Sequence, residues 1–95
     1  MSELEGVRKE IEEIDMEILA LIGKRVNLAE KVLESKKMNG TSINDQKQNE
    51  VVINRALNTA TELNLDLGSI KAIFEILIRM SIERQNELSG KGSLP

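Results

Sequence analysis

One apolar stripe limits what this chain can become more than any other feature. Leu4, Val7, Ile11, Ile14, Ile18 and Leu21 follow in alternating steps of three and four, and Leu28 and Val32 continue the series with Arg25 between. This is the a/d spacing of a helix that lies along a second helix, and Arg25 takes an a position within it. No proline interrupts the stretch, and Gly6 and Gly23 each cost only about 1 kcal/mol. Ser2-Glu3-Leu4-Glu5 has the form of a capping box, and Met38-Asn39-Gly40 is an end signal. The spacing therefore predicts a helix over about residues 3–37, roughly 50 Å long at 1.5 Å per residue.

Two shorter helices follow. Asn44 or Asp45 can cap one over about 45–63, with Val52, Ile53, Ala56, Leu57, Ala60 and Leu63 inward. Asp66 can cap another over about 67–88, with Ile70, Ile73, Phe74, Leu77 and Ile78 in a stripe that runs on through Ser81 and Gln85 to Leu88. Residues 89–95 read as a disordered tail. The fold class expected is all-α, a single domain over 1–95 with three helices, one long and two shorter. At roughly 28 and 34 Å, neither short helix can cover the long one. Its stripe is most simply buried against a second copy, so an intertwined homodimer is expected.

Composition narrows the chemistry. The chain has no Cys and no His, which leaves no thiol nucleophile, no imidazole base and few means of holding a transition metal. Neither a cofactor nor a metal is expected. A net charge of −3 argues against a broad nucleic-acid surface. The start is too charged for a signal peptide and no apolar run matches a membrane span, so a cytoplasmic protein with no membrane partner is expected.

Polar residues in apolar places carry the functional signal. A guanidinium at an a position costs several kcal/mol to desolvate unless anions pair with it. A structural ion pair or a side chain reaching to the rim explains Arg25 about as well as a ligand does. Lys36 lies eleven residues on, about 16 Å along the axis, on the same flank. Its default is a solvated lysine, and that of Arg8 is a surface pair with Glu5 or Glu12. Ser81 and Gln85, four apart on an inward stripe, make either a hydrogen bond that fixes register or a polar contact to a ligand. Arg8 and Arg25 are about 25 Å apart along one helix. One small anion touches both only if Arg8 comes from the other subunit.

With "VRKEIEEID", "GKRVNLAEKVLESK", "INDQKQNE" and "IFEILIRMSIERQ" at these spacings, the chain resembles the all-helical class of chorismate mutase from residue 4 to about 88. The resemblance implies a domain-swapped homodimer that rearranges chorismate to prephenate on the route to phenylalanine and tyrosine. By matching position it assigns Arg25 and the partner's Arg8 to the substrate carboxylates. Lys36 and Gln85 donate to the ether oxygen, Ser81 contacts a carboxylate, and Asp45 sits by the ring hydroxyl. The match departs at Gln48 and Asn49, where the family pattern has Arg and Glu. Asn49 can still accept from a hydroxyl through its amide oxygen, but Gln48 carries no charge, so weaker substrate binding is expected. An isochorismate-pyruvate lyase of the same fold and a non-catalytic helical dimer are the alternatives, and Asp45 favours the mutase over the lyase.

Overall fold

The computed structural model describes residues 2–90, and among them every regular element is a helix. In chain order these are α1 (Glu3–Asn27), α2 (Ala29–Asn39), α3 (Gln46–Glu62) and α4 (Leu67–Leu88). Part of the predicted tail, 91–95, lies outside the described residues. Ser89 and Gly90 close α4: the Ser89 N–H donates to the Gln85 carbonyl at 3.0 Å and the Gly90 N–H to that of Glu87 at 3.1 Å.

The long helix expected over 3–37 is present as α1 and α2, which meet at Leu28. The interruption is shallow. Leu28 stays right-handed at φ −72°, ψ −11°, its N–H donates to the Lys24 carbonyl at 3.2 Å, and its own carbonyl accepts from Val32 at 3.0 Å. The two segments thus continue one rod, and the molecule measures 56 Å along its longest axis. The junction falls where the environment changes: α1 buries no residue, whereas α2 buries Ala29 and Leu33. α4 is the central element, packing against α1, α2 and α3.

Side-chain caps set the starts. The Ser2 hydroxyl accepts from the Glu5 N–H at 3.3 Å, Asp45 from the Gln48 N–H at 3.3 Å, and Asp66 from both the N–H and the hydroxyl of Ser69 at 2.8 Å. Each satisfies a donor that the first helical turn leaves unpaired. Left-handed residues set two ends. Gly40 at φ 67° turns the chain so that the Thr41 N–H reaches the Lys36 carbonyl, and Asn64 at φ 56° does the same for Leu65 and Ala60.

The core within one chain is small. Val52, Ala56 and Ala60 of α3 and Ala29 and Leu33 of α2 are its buried apolar residues. The expected inner residues Ile53, Leu57, Ile70, Phe74, Leu77 and Ile78 are half-buried, while Leu63, Ile73 and Leu88 are exposed. The long stripe of α1 is open along its length: Leu4, Val7, Ile11, Ile14, Ile18 and Leu21 are each 49% to 63% exposed. The more buried face of the rod runs instead through Ile22, Val26, Ala29 and Leu33, one residue beyond the heptad positions Leu21, Arg25, Leu28 and Val32. The rod therefore has two apolar faces, and this chain covers one of them.

Candidate active site

α2 and α3 both pack on α4 without packing on each other. Between them lies a cavity of about 280 Å³, close to the ~300 Å³ lower end of small-ligand sites. Seven of the eight residues expected from sequence line it: Arg25, Lys36, Asp45, Gln48, Asn49, Ser81 and Gln85. Leu28, Val32, Val52, Ile78 and Ile82 form its apolar wall. Arg8 is not among its lining residues; it lies exposed on α1.

Arg25 is half-buried, and its Nη1 donates to the backbone carbonyl of Leu77 on α4 at 3.0 Å. No carboxylate pairs with it: the ion pairs among the described residues are Arg79–Glu83 and Arg84–Glu87. The structural ion pair that sequence reasoning leaves open for Arg25 is therefore absent, and so is the surface pair expected for Arg8 with Glu5 or Glu12. Burial, then the like charge of Arg55, holds the Arg25 guanidinium below its ordinary pKa. Both causes work against the cation, and the charge of an anion in the cavity would favour it.

The Lys36 Nζ donates to the Ile43 carbonyl in the α2–α3 loop. Burial lowers the Lys36 pKa, and Asp45 opposes part of that shift. One bond to Ile43 leaves two of the three ammonium protons for a ligand. The loop thereby fixes the head of Lys36 at the rim, close to the acid that caps α3.

Gln85 is the one buried polar side chain among the described residues, at 2% exposure. Its Nε2 donates to the Ser81 hydroxyl at 3.0 Å, and its Oε1 has no partner. The pair lies within α4, one turn apart, and does not tie two helices together. An orphaned oxygen at this depth costs about 1–3 kcal/mol. Turning the amide over lets Ser81 donate to Oε1 and frees Nε2 to donate to whatever fills the cavity; the two orientations differ only in hydrogen bonding.

Asn49 is oriented by a neighbour that sequence reasoning misses. Its Nδ2 donates to Asn44 Oδ1 at 2.8 Å, which leaves the Asn49 Oδ1 as an acceptor. From sequence Asn44 reads only as a helix cap, a role that Asp45 takes. Gln48 lines the cavity from an exposed position and brings no charge. Arg55, also unanticipated, lines the same cavity two turns further along α3. Its seven-residue spacing from Gln48 was the available signal.

A larger cavity of about 560 Å³ shares Asn49, Ile78 and Ile82 with the first and opens on the other side of α3 and α4. Its charged lining alternates in sign, with Glu50, Lys71, Glu75 and Arg79, and Arg79 already pairs with Glu83. It offers no concentrated charge to a small anion. The smaller cavity, with Arg25, Lys36 and Arg55 against the single acid Asp45, does.

The sequence matches the family model described as chorismate mutase type II over residues 7–86. It is 38% identical over 78 residues to a chorismate mutase of Methanocaldococcus jannaschii, covering 82% of this chain and 79% of that protein. It is 30% identical over 90 residues to a bifunctional chorismate mutase/prephenate dehydratase of Buchnera aphidicola subsp. Schizaphis graminum, covering 95% of this chain and 23% of that protein. A bifunctional protein of the same description from Buchnera aphidicola subsp. Acyrthosiphon pisum is 30% identical over 84 residues, covering 88% of this chain and 22% of its own length. The chain thus spans less than a quarter of these two bifunctional relatives.

Proposed function

The chain belongs to the chorismate mutase type II family, and we propose that it isomerises chorismate to prephenate in a cavity completed by a second copy of itself. The observation that carries this reading is the lining of one cavity by Arg25, Lys36, Ser81 and Gln85 from three helices, with the Arg25 cation unpaired by any acid. The rearrangement breaks an ether C–O bond as a C–C bond forms within one molecule. It needs no nucleophile and no proton transfer, so a chain without Cys or His is equipped for it.

What the protein supplies is a compact conformer and fixed charge. Arg25 and the partner copy's Arg8 grip the two carboxylates, which brings the reacting carbons together before the barrier is climbed. Lys36 and Gln85 donate to the ether oxygen, which gains negative charge as its bond to carbon lengthens. Ser81 sets the orientation of the Gln85 amide and meets a carboxylate. Asp45 and the free Oδ1 of Asn49 accept from the ring hydroxyl, and Gln48 adds a neutral contact beside them. An acceleration at the modest end of enzymes requires about 8 kcal/mol of transition-state stabilisation. Several donors held in a half-buried site at a few kcal/mol each can provide it.

The exposed stripe of α1 supports a second copy. The six-residue stripe and the continuation at Leu28 and Val32 are left largely uncovered by the chain. Burying the exposed half of each of these eight side chains gains about 1 kcal/mol apiece. The total, on the order of 8 kcal/mol per chain, rivals the whole stability of a small domain. Antiparallel pairing of two α1 rods covers both stripes and carries Arg8 of each copy toward the other's cavity. This is the intertwined, domain-swapped dimer. No described helix is long and apolar enough to cross a membrane, and a dissolved substrate of the aromatic amino acid pathway fits a cytoplasmic enzyme.

The direct test is loss of chorismate absorbance with purified protein and no added metal or cofactor. Prephenate should accumulate without release of pyruvate; pyruvate as product would assign the chain to the lyase reaction. A sharper test concerns Gln85. Because its amide donates without titrating, kcat should vary little from pH 5 to 8. Gln85→Glu places a carboxyl where only its protonated form donates, and burial raises its pKa. Its kcat should be highest at low pH and fall steadily as pH rises. A flat profile for Gln85→Glu would remove Gln85 from the ether oxygen.

A further inference from the structure

Arg55 has no role in the site as described so far. It lies on α3 one position before the buried Ala56, on the face that carries Gln48 and Val52 into the cavity. Gln48, Val52 and Arg55 advance by about one turn each, and Arg55 is the only one of the three with a charge. It also borders the neighbouring cavity formed with Leu63, Leu65, Ile70 and Phe74, so it stands as the wall between the two. Among the described residues no acid pairs with it and no hydrogen bond holds its head. Its charge is near enough to Arg25 to weigh against that cation.

Two guanidinium groups that line one cavity, neither paired with a carboxylate, repel one another there. Arg55 is exposed, so solvent screens part of this repulsion, and an anionic ligand in the cavity would relieve more of it. The one acid lining the cavity, Asp45, is the α3 cap and acts on Lys36, not on Arg25. We infer that Arg55 is a substrate-binding residue which closes with Arg25 on one carboxylate of the bound dicarboxylate. The inference rests on the reading of the cavity given above and goes beyond it. It puts the second cation for that carboxylate on α3, seven residues after the neutral Gln48. Arg25, anchored to the Leu77 carbonyl, holds its place, and Arg55, unanchored, swings in with the ligand.

The test compares wild type, Arg55→Gln, Arg55→Lys, Gln48→Arg and Arg55→Gln/Gln48→Arg, each checked for helicity and dimer mass. Turnover of chorismate gives kcat and KM. Calorimetry gives the affinity for a rigid bicyclic diacid shaped like the compact conformer, and for its monoester lacking the carboxylate assigned to Arg25. Arg55→Gln should raise KM at least tenfold, change kcat less, and weaken the diacid far more than the monoester. Arg55→Lys should retain most of the diacid affinity. Gln48→Arg should help more in the Arg55→Gln background than in wild type, since both side chains enter one cavity and their effects couple. Unchanged KM and diacid affinity in Arg55→Gln would overturn the inference, as would equal losses for diacid and monoester. A wild type that binds the diacid but leaves chorismate intact would instead refute the proposed activity, with Arg55 still judged on the binding data.

Discussion

Arg25→Ala should lower kcat/KM by about three orders of magnitude while leaving the fold intact. Removing one well-placed donor from a transition-state site costs on the order of 10²–10³ in rate. On the proposed reading Arg25 also grips a substrate carboxylate before reaction, so KM should rise as well. The stability side is less usual. A base whose pKa is held below its ordinary value is one whose charged form the folded state disfavours, and burial and Arg55 both act in that direction on Arg25. At neutral pH Arg25 is charged in both folded and unfolded chains, so this cost is present throughout the working range. Against it stands one hydrogen bond to the Leu77 carbonyl, a charge-assisted contact of about 1.5–3 kcal/mol. The two act in opposite directions. Thermal melting of Arg25→Ala should stay within a few degrees of wild type while turnover collapses. Arg25→Lys should recover only a little activity, because an ammonium lacks the planar fork that meets a carboxylate at two points.

The second large effect concerns the rod. Ile11→Asp with Ile18→Asp places two carboxylates in the stripe of each copy, and symmetry doubles the number in a dimer. The stripe is exposed in the single chain, so the substitutions cost little there. Between two rods they bury four carboxylates without partners, each at several kcal/mol. Four such burials at several kcal/mol each outweigh the roughly 12 kcal/mol that the twelve remaining stripe residues of a dimer gain at about 1 kcal/mol apiece. Light scattering should find a monomer, and chorismate turnover should fall by at least 10³ because no cavity then receives the partner copy's Arg8. A variant that stayed dimeric and active would place the partner somewhere other than α1.

Sequence made the helix boundaries legible wherever a local polar group decides them. Ser2, Asp45 and Asp66 cap as expected, and Gly40 ends α2 for the reason that Met38-Asn39-Gly40 suggested. The heptad stripe was legible as well, but it marks the uncovered face of the rod. The more buried face was not, because it includes the small Ala29 and sits one residue off the stronger pattern. A rod apolar on two sides reads as one stripe until a neighbour is seen. The interruption at Leu28 had no signature either, since it breaks neither the apolar spacing nor the right-handed backbone. In the cavity, Arg25 and Gln85 could be found because they violate an apolar pattern. Arg55 and Asn44 violate nothing: a charged and an amide residue on a polar helix read as solvated surface. Their roles depend on what stands opposite.

The central claim is that Arg25 and Arg8, which are proposed to hold opposite carboxylates of the substrate, reach each site from different copies. Arg8→Ala and Arg25→Ala should each be nearly inactive alone. Denatured together in equal amounts and refolded, they should recover about a quarter of wild-type activity. Half of the dimers are then mixed, and each mixed dimer has one site with both arginines and one with neither. Activity that stays at the level of the separate variants, with mixed dimers shown by mass to have formed after one variant is uniformly labelled with nitrogen-15, would mean that Arg8 and Arg25 do not meet across two copies.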